Sequence, residues 1–191
     1  MRTGVMTFGS FNRLSKLTPE VVKVWAQVLG RVAGSRLLLK NRSLSDARTR
    51  DRVVAAFGSA GIAVGRLDLR GDSPHAQMLA EYGDVDIALD PFPFNGGLTT
   101  CEALWMGVPV LALRGDSMIS RQGASLLSAG GLADWIADDE SDLVRRAMQF
   151  AGNPGTLGQL RGTMRKRLRD SALMDAAGFA RKFSAALEET L

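Results

Sequence analysis

The chain has 191 residues, of which 46% are hydrophobic and 23% charged, and a formal net charge of +4. That balance describes a globular chain with enough residues for one full core. It excludes a membrane-spanning helix, because no apolar run approaches about 20 residues, and Cys101, the only cysteine, excludes a disulfide framework or a cysteine zinc site.

The opening MRTGVMTFGS has no long apolar stretch and does not read as a secretory signal. It enters a strand almost at once, so the chain is read as a piece cut at a domain boundary, and a cytoplasmic location is expected. That first strand is expected over Gly4 to Phe8. Thr18-Pro19 is a cap followed by proline at the first helical position. Val21, Val24, Trp25, Val28, Leu29 and Val32 then recur at three and four, which buries one helix face. Gly34 ends that helix and Arg36 to Lys40 is a short buried strand. A second helix is expected from Asp46 to Gly58, with Val53, Val54 and Phe57 inward, and a third strand from Arg66 to Leu69. Ser73-Pro74 should cap a helix running to Glu81. Val85 to Leu89 is the next strand, and the loop from Asp90 to Gly97 holds two prolines and two glycines. A short helix around Thr99 leads to a buried strand at Val108 to Leu113. Helix follows at Ser120 to Ala129, a short last strand at Trp135-Ile136, and helices at Asp139 to Ala151, Thr156 to Asp170 and Ala176 to Glu189. The last should bury Phe179, Phe183 and Leu187.

Strands that are short, apolar and separated by helices belong in a parallel sheet covered on both faces. Right-handed crossovers then give an open doubly wound parallel sheet with helices on both faces, a Rossmann-like α/β fold. No repeat or linker divides the chain, so residues 1–191 are read as a single domain. Ligands of such sheets lie beyond the carboxyl ends of the strands. The loops that follow strands are Gly9 to Leu17, Lys40 to Arg42, Arg70 to His75, Asp90 to Gly97 and Arg114 to Ser120.

The most informative of these opens the stretch Asn95 to Leu113, NGGLTTCEALWMGVPVLAL. Asn95, Gly96 and Gly97 lead to Thr99 and Thr100 at a helix start, and Glu102 lies one turn in. A glycine turn feeding a hydroxyl-capped helix gathers free N–H groups and the positive end of the helix dipole, a place for phosphate. An acid one turn further is placed for sugar hydroxyls. The competing reading is structural: Thr99-x-x-Glu102 is also a capping box. A plain cap does not need two preceding glycines, which favours a nucleotide diphosphate site.

Other signals are weaker. The positive charge is spread, and its densest cluster, Arg161 to Arg169, is read as a solvated helix face rather than a nucleic-acid surface. A mild positive field would still draw an anionic small ligand. Lys40, at the carboxyl end of its strand, is either nucleotide-facing or a surface lysine snorkelling from the sheet. Asp84-Val85-Asp86 spells an acid-x-acid pattern, but alternation along a strand does not make a chelating pair, and no metal is assigned. A dinucleotide-binding oxidoreductase has no support, since no G-x-G-x-x-G follows the first strand.

Three stretches carry a family resemblance: TFGSFNRLSKLTPEVVKVWAQVL from Thr7, DIALDPFPFNGGLTTCEALWMGVPVLAL from Asp86 and SRQGASLLSAGGLADWIA from Ser120. Together with the closing SALMDAAGFARKFSAALEETL they resemble the C-terminal catalytic lobe of the O-GlcNAc transferase and SPINDLY family, two-lobed GT-B glycosyltransferases that usually carry TPR repeats.

The resemblance implies a UDP-sugar site. Lys16 matches the family lysine that contacts the donor phosphates and assists departure of the leaving group. Arg13 falls where relatives have glutamine or asparagine near the phosphates. Thr99 and Thr100 match the phosphate-binding threonines, and Glu102 the acid on the ribose hydroxyls. His75, the only histidine, lies in the loop where the family has a histidine near the nucleoside, although counting back from Asp90 without gaps reaches Met78. Its other reading is an exposed first-turn residue. The implied activity is that of the donor lobe of an inverting protein O-glycosyltransferase using UDP-GlcNAc on Ser or Thr, metal-independent and without a cofactor. The protein acceptor would be held by an upstream lobe and TPR repeats, and the isolated lobe is expected to be inactive. Alternatives are another sugar, an asparagine acceptor, or a non-catalytic nucleotide-binding module.

Overall fold

The computed structural model describes residues 4–190. Six strands form one sheet in the order β3-β2-β1-β4-β5-β6, and every pair is parallel. They are β1 (Thr7–Ser10), β2 (Arg36–Lys40), β3 (Leu67–Arg70), β4 (Ile87–Leu89), β5 (Val110–Leu113) and β6 (Ile136–Ala137). The helices are α1 (Pro19–Arg31), α2 (Ala47–Ser59), α3 (His75–Glu81), α4 (Leu98–Trp105), α5 (Gln122–Ala129), α6 (Glu140–Ala151), α7 (Pro154–Arg169) and α8 (Ala176–Glu188).

The chain steps one way from β1 to β3, then crosses to β4 and steps the other way. Right-handed crossovers therefore put α1 and α2 on one face and α3, α4 and α5 on the other. α6 packs on α1, and α7 touches both α6 and α4. The expected doubly wound α/β fold is present, and its switch point is the crevice between β1 and β4. Phe8, Leu37, Leu38, Ile87, Leu89 and Leu111 are fully enclosed between the helical layers, which is why their strands read as continuous apolar runs.

Several local expectations need correction. β1 begins at Thr7, not Gly4, because Gly4 takes a left-handed φ of +72° and bends the chain ahead of the strand. Ser73 does not cap α3; its hydroxyl donates to Glu81 Oε1 at 3.0 Å. The basic cluster on α7 is not a wholly solvated face. Arg161 donates to the carbonyls of Val85 and Asp86, Arg165 to Trp105 and Arg167 to Gly131. These guanidiniums fasten the helix to backbone carbonyls of the domain. Finally, α8 does not bury its apolar stripe: Phe179, Phe183 and Leu187 are 68%, 55% and 51% exposed, and only Gly178 of that helix is buried. Periodicity marks the stripe as amphipathic but supplies no partner for it.

Among the described residues no helix is long and apolar enough to cross a membrane.

Candidate functional site

The switch point brings the loop after β1 against the loop after β4. A 3-10 turn at Leu14–Lys16 lifts Lys16 over the crevice. Its ammonium donates to the Asn95 carbonyl at 2.7 Å and to Asn12 Oδ1 at 3.4 Å, and lies 4.1 Å from the centre of the Phe94 ring. Partial burial pulls its pKa below the ordinary lysine value, and nearby Arg13 adds to the fall, while Asp90 opposes it. Arg13 itself is exposed and makes no side-chain hydrogen bond among the described residues.

The Asn95–Gly97 turn is held from beneath. Asn95 is fully buried: its amide donates to the Pro91 carbonyl at 3.0 Å and its Oδ1 accepts the Gly123 N–H at 3.3 Å. Its own N–H donates to Ile119 at 3.1 Å. Asn95 thus offers the site its carbonyl, while its side chain stitches the loops together. The Gly96 N–H donates to Asp90 Oδ1 at 2.7 Å. A Cβ on Gly96 would lie 2.6 to 2.8 Å from Thr100 Oγ1, Asp90 Oδ1 and Thr99 Oγ1, so only glycine fits this crossing.

α4 starts differently from the capping-box expectation. Its cap position is Gly97, with no side-chain cap bond, and Thr99 is already helical. Thr99 Oγ1 instead donates across the crevice to Asn12 Oδ1 at 3.0 Å, and Tyr82, stacked on Phe11, donates to the Thr99 carbonyl at 3.2 Å. The N–H groups of Gly97, Leu98 and Thr99 find no acceptor among the described residues. A helix start without a side-chain cap, beside an ammonium, is an anion cradle. Thr100 sits deeper than expected, its buried hydroxyl unpaired.

Glu102 also does not cap. Its Oε1 lies 3.1 Å from His75 Nε2, with the His75 side chain 70% exposed and that of Glu102 14% exposed. The two residues therefore share one lip of the crevice although they stand 27 positions apart in sequence. Lys40 is turned inward: it is 6% exposed and its ammonium pairs with Glu81 Oε1 and Ser73 Oγ, each at 2.7 Å. It is not a snorkelling surface lysine. Asp84 and Asp86 serve backbone and arginine partners, with Asp86 accepting the Thr7 N–H and Asp84 pairing with Arg70. Among the described residues no cluster of three or more His, Cys, Asp or Glu is placed to hold a metal.

Sequence reading missed two central residues, Asn12 and Asp90. Asn12 lies two residues past the end of β1 and Asp90 directly follows β4; for Asp90, a polar residue directly after an apolar run was the available signal.

A doubly wound parallel sheet with an anion cradle at its switch point defines an α/β domain of the nucleotide-binding type. The comparisons give the family. The sequence profile of glycosyl transferase family 41 matches residues 2–183, and the chain belongs to that family. It is 39% identical over 183 residues to the probable UDP-N-acetylglucosamine–peptide N-acetylglucosaminyltransferase SPINDLY of Eustoma exaltatum subsp. russellianum, covering 94% of this chain and 20% of that protein. The SPINDLY protein of Solanum lycopersicum is 38% identical over 185 residues, covering 95% and 20%. Among solved structures, a mutant O-GlcNAc transferase of Thermobaculum terrenum superposes with a TM-score of 0.90 at 37% identity, covering 97% of this chain and 36% of that one. The chain therefore spans about a fifth of the length of these curated relatives.

Proposed function

We propose that this chain is the donor-binding lobe of an inverting protein O-glycosyltransferase that takes a UDP-sugar, UDP-GlcNAc, and transfers the sugar to Ser or Thr. The observation that carries the reading is the trio of N–H groups at Gly97, Leu98 and Thr99, without acceptors among the described residues, just past the Asn95 carbonyl that holds the Lys16 ammonium at 2.7 Å. Diphosphate oxygens would take those donors. His75 and Glu102 would meet the nucleoside end, with Glu102 accepting from the ribose hydroxyls. The names of the SPINDLY relatives support UDP-GlcNAc as donor and a protein as acceptor.

In the reaction, the acceptor oxygen attacks the anomeric carbon as its bond to the β-phosphate oxygen breaks, and the configuration inverts. The acceptor proton leaves to a group supplied by an upstream lobe. Negative charge grows on the departing UDP, and the Lys16 ammonium with the α4 N-terminus offsets it. These groups fill the part that a divalent cation plays elsewhere, so the site works without metal or cofactor.

Titration of the isotope-labelled chain with UDP tests the placement. The expected result is saturable binding with amide shifts concentrated at Gly96 to Glu102 and around Lys16, unaltered by a metal chelator. Saturable binding that leaves those residues unperturbed removes the site from the α4 start.

A further inference from the structure

Among the described residues, Asp90 is the one acid enclosed beneath the cradle. It follows β4, is 2% exposed and divides its two oxygens between two helix starts. Oδ1 holds the Gly96 N–H below α4. Oδ2 has no partner and lies under the beginning of α5, 2.5 Å from where a Gly123 Cβ would stand. A buried carboxylate oxygen without a donor is costly when charged and tolerable when protonated. The charged groups on the surrounding elements are few. Lys16 on the β1 loop attracts the carboxylate, and Arg13 acts through Lys16. Glu102 on α4 pairs with His75 of α3. Arg121 before α5 is exposed, and α5 itself has no ionisable side chain. Burial, only partly offset by the Gly96 N–H and Lys16, pushes the carboxyl pKa up to about 7.

We propose that Asp90 is a positioning residue of the donor site, whose buried carboxyl group fixes the Asn95–Gly97 turn through the Gly96 N–H and takes up a proton when an anion binds above it. The inference rests on the donor-site reading. An arriving diphosphate engages Lys16, the one cation that favours the charged carboxylate, and adds negative charge nearby. Both effects drive a proton from solvent onto Asp90. The turn keeps its tether in either state, because the neutral carboxyl still accepts from Gly96 through its carbonyl oxygen.

The sign of the stability effect follows. A carboxyl raised in the fold stabilises the protein below its unfolded pKa near 3.8 and loses that contribution as pH rises through about 7. Asp90→Asn keeps the acceptor and removes the titration, so relative to wild type its melting temperature should gain between pH 6 and pH 8.

Calorimetry of UDP binding at pH 7.5, in buffers of different ionisation enthalpy, tests the proton. Wild type should take up about half a proton more per UDP than Asp90→Asn; the UDP phosphate's own titration cancels in the difference. Asp90→Ala, which loses the tether, should bind UDP at least about tenfold more weakly, with displaced amide resonances at Gly97 to Thr99 that Asp90→Asn restores. Thermal unfolding establishes that each variant is folded. Equal proton uptake by wild type and Asp90→Asn, or wild-type affinity in a folded Asp90→Ala, overturns the role of Asp90 alone. Failure of wild type to bind UDP overturns the donor-site reading itself, and is seen before any variant is measured.

Discussion

Lys16 reaches its place at the end of a short 3-10 turn that buries none of its own residues, so its side chain contributes little packing. Its ammonium is committed to a carbonyl and an amide oxygen, both of which a phosphate can replace. In a form of the protein that turns over a UDP-sugar, Lys16→Ala should lower kcat by about two orders of magnitude, the scale of losing a charge-stabilising donor. Its melting temperature should stay near wild type, and near-normal turnover would remove Lys16 from the reaction. Glu102 gives a separate check. It makes no capping bond, so Glu102→Gln should leave stability unchanged while UDP affinity falls about tenfold through loss of a charge-assisted hydrogen bond. The family resemblance placed His75 near the nucleoside, and the fold brings its ring within 3.1 Å of Glu102, the residue proposed for the ribose hydroxyls. Asn12 was not legible, because its value comes from facing Thr99 across 87 positions of sequence.

At the scale of elements, local chemistry predicted what local chemistry controls. Thr18 caps α1 by accepting the Val21 N–H, and Pro19 opens the helix, as the pair of letters suggests. The Thr99-x-x-Glu102 capping box failed for the opposite reason: Asn12 and His75 outbid the local partners once β1 and β4 became neighbours. α7 shows the same limit. Its arginines looked like a solvated face, yet Arg161 anchors the helix to the Val85 and Asp86 carbonyls. Arg161→Met should preserve the stem's packing and lose those charge-assisted bonds. A loss of about 2 kcal/mol in unfolding free energy is expected, read from denaturant midpoints, with UDP affinity unchanged. A midpoint equal to wild type would make the anchor dispensable.

For the whole molecule, the alternation of strand and helix foretold the doubly wound sheet, and the loops named from sequence do line its carboxyl edge. What no periodicity could supply is the fate of α8, whose stacked Phe179 and Phe183 rings, 5.8 Å apart, remain on the surface. The way α7 is fastened bears on a different property, the response to ionic strength. Its guanidiniums grip backbone at the amino ends of β4 and β6, while the cradle lies past the carboxyl end of β4. The four residue steps from Asp86 to Asp90 alone separate the two by about 13 Å, beyond a screening length of about 8 Å in physiological salt. The net charge of +4 therefore overstates the field a ligand meets. UDP binding should weaken by less than about tenfold between about 0.15 and 0.5 M salt, with a slope set by Lys16 and Arg13. Arg169→Gln should leave that slope where it is, and a flattened slope in that variant would mean that the far end of the sheet helps to collect the ligand.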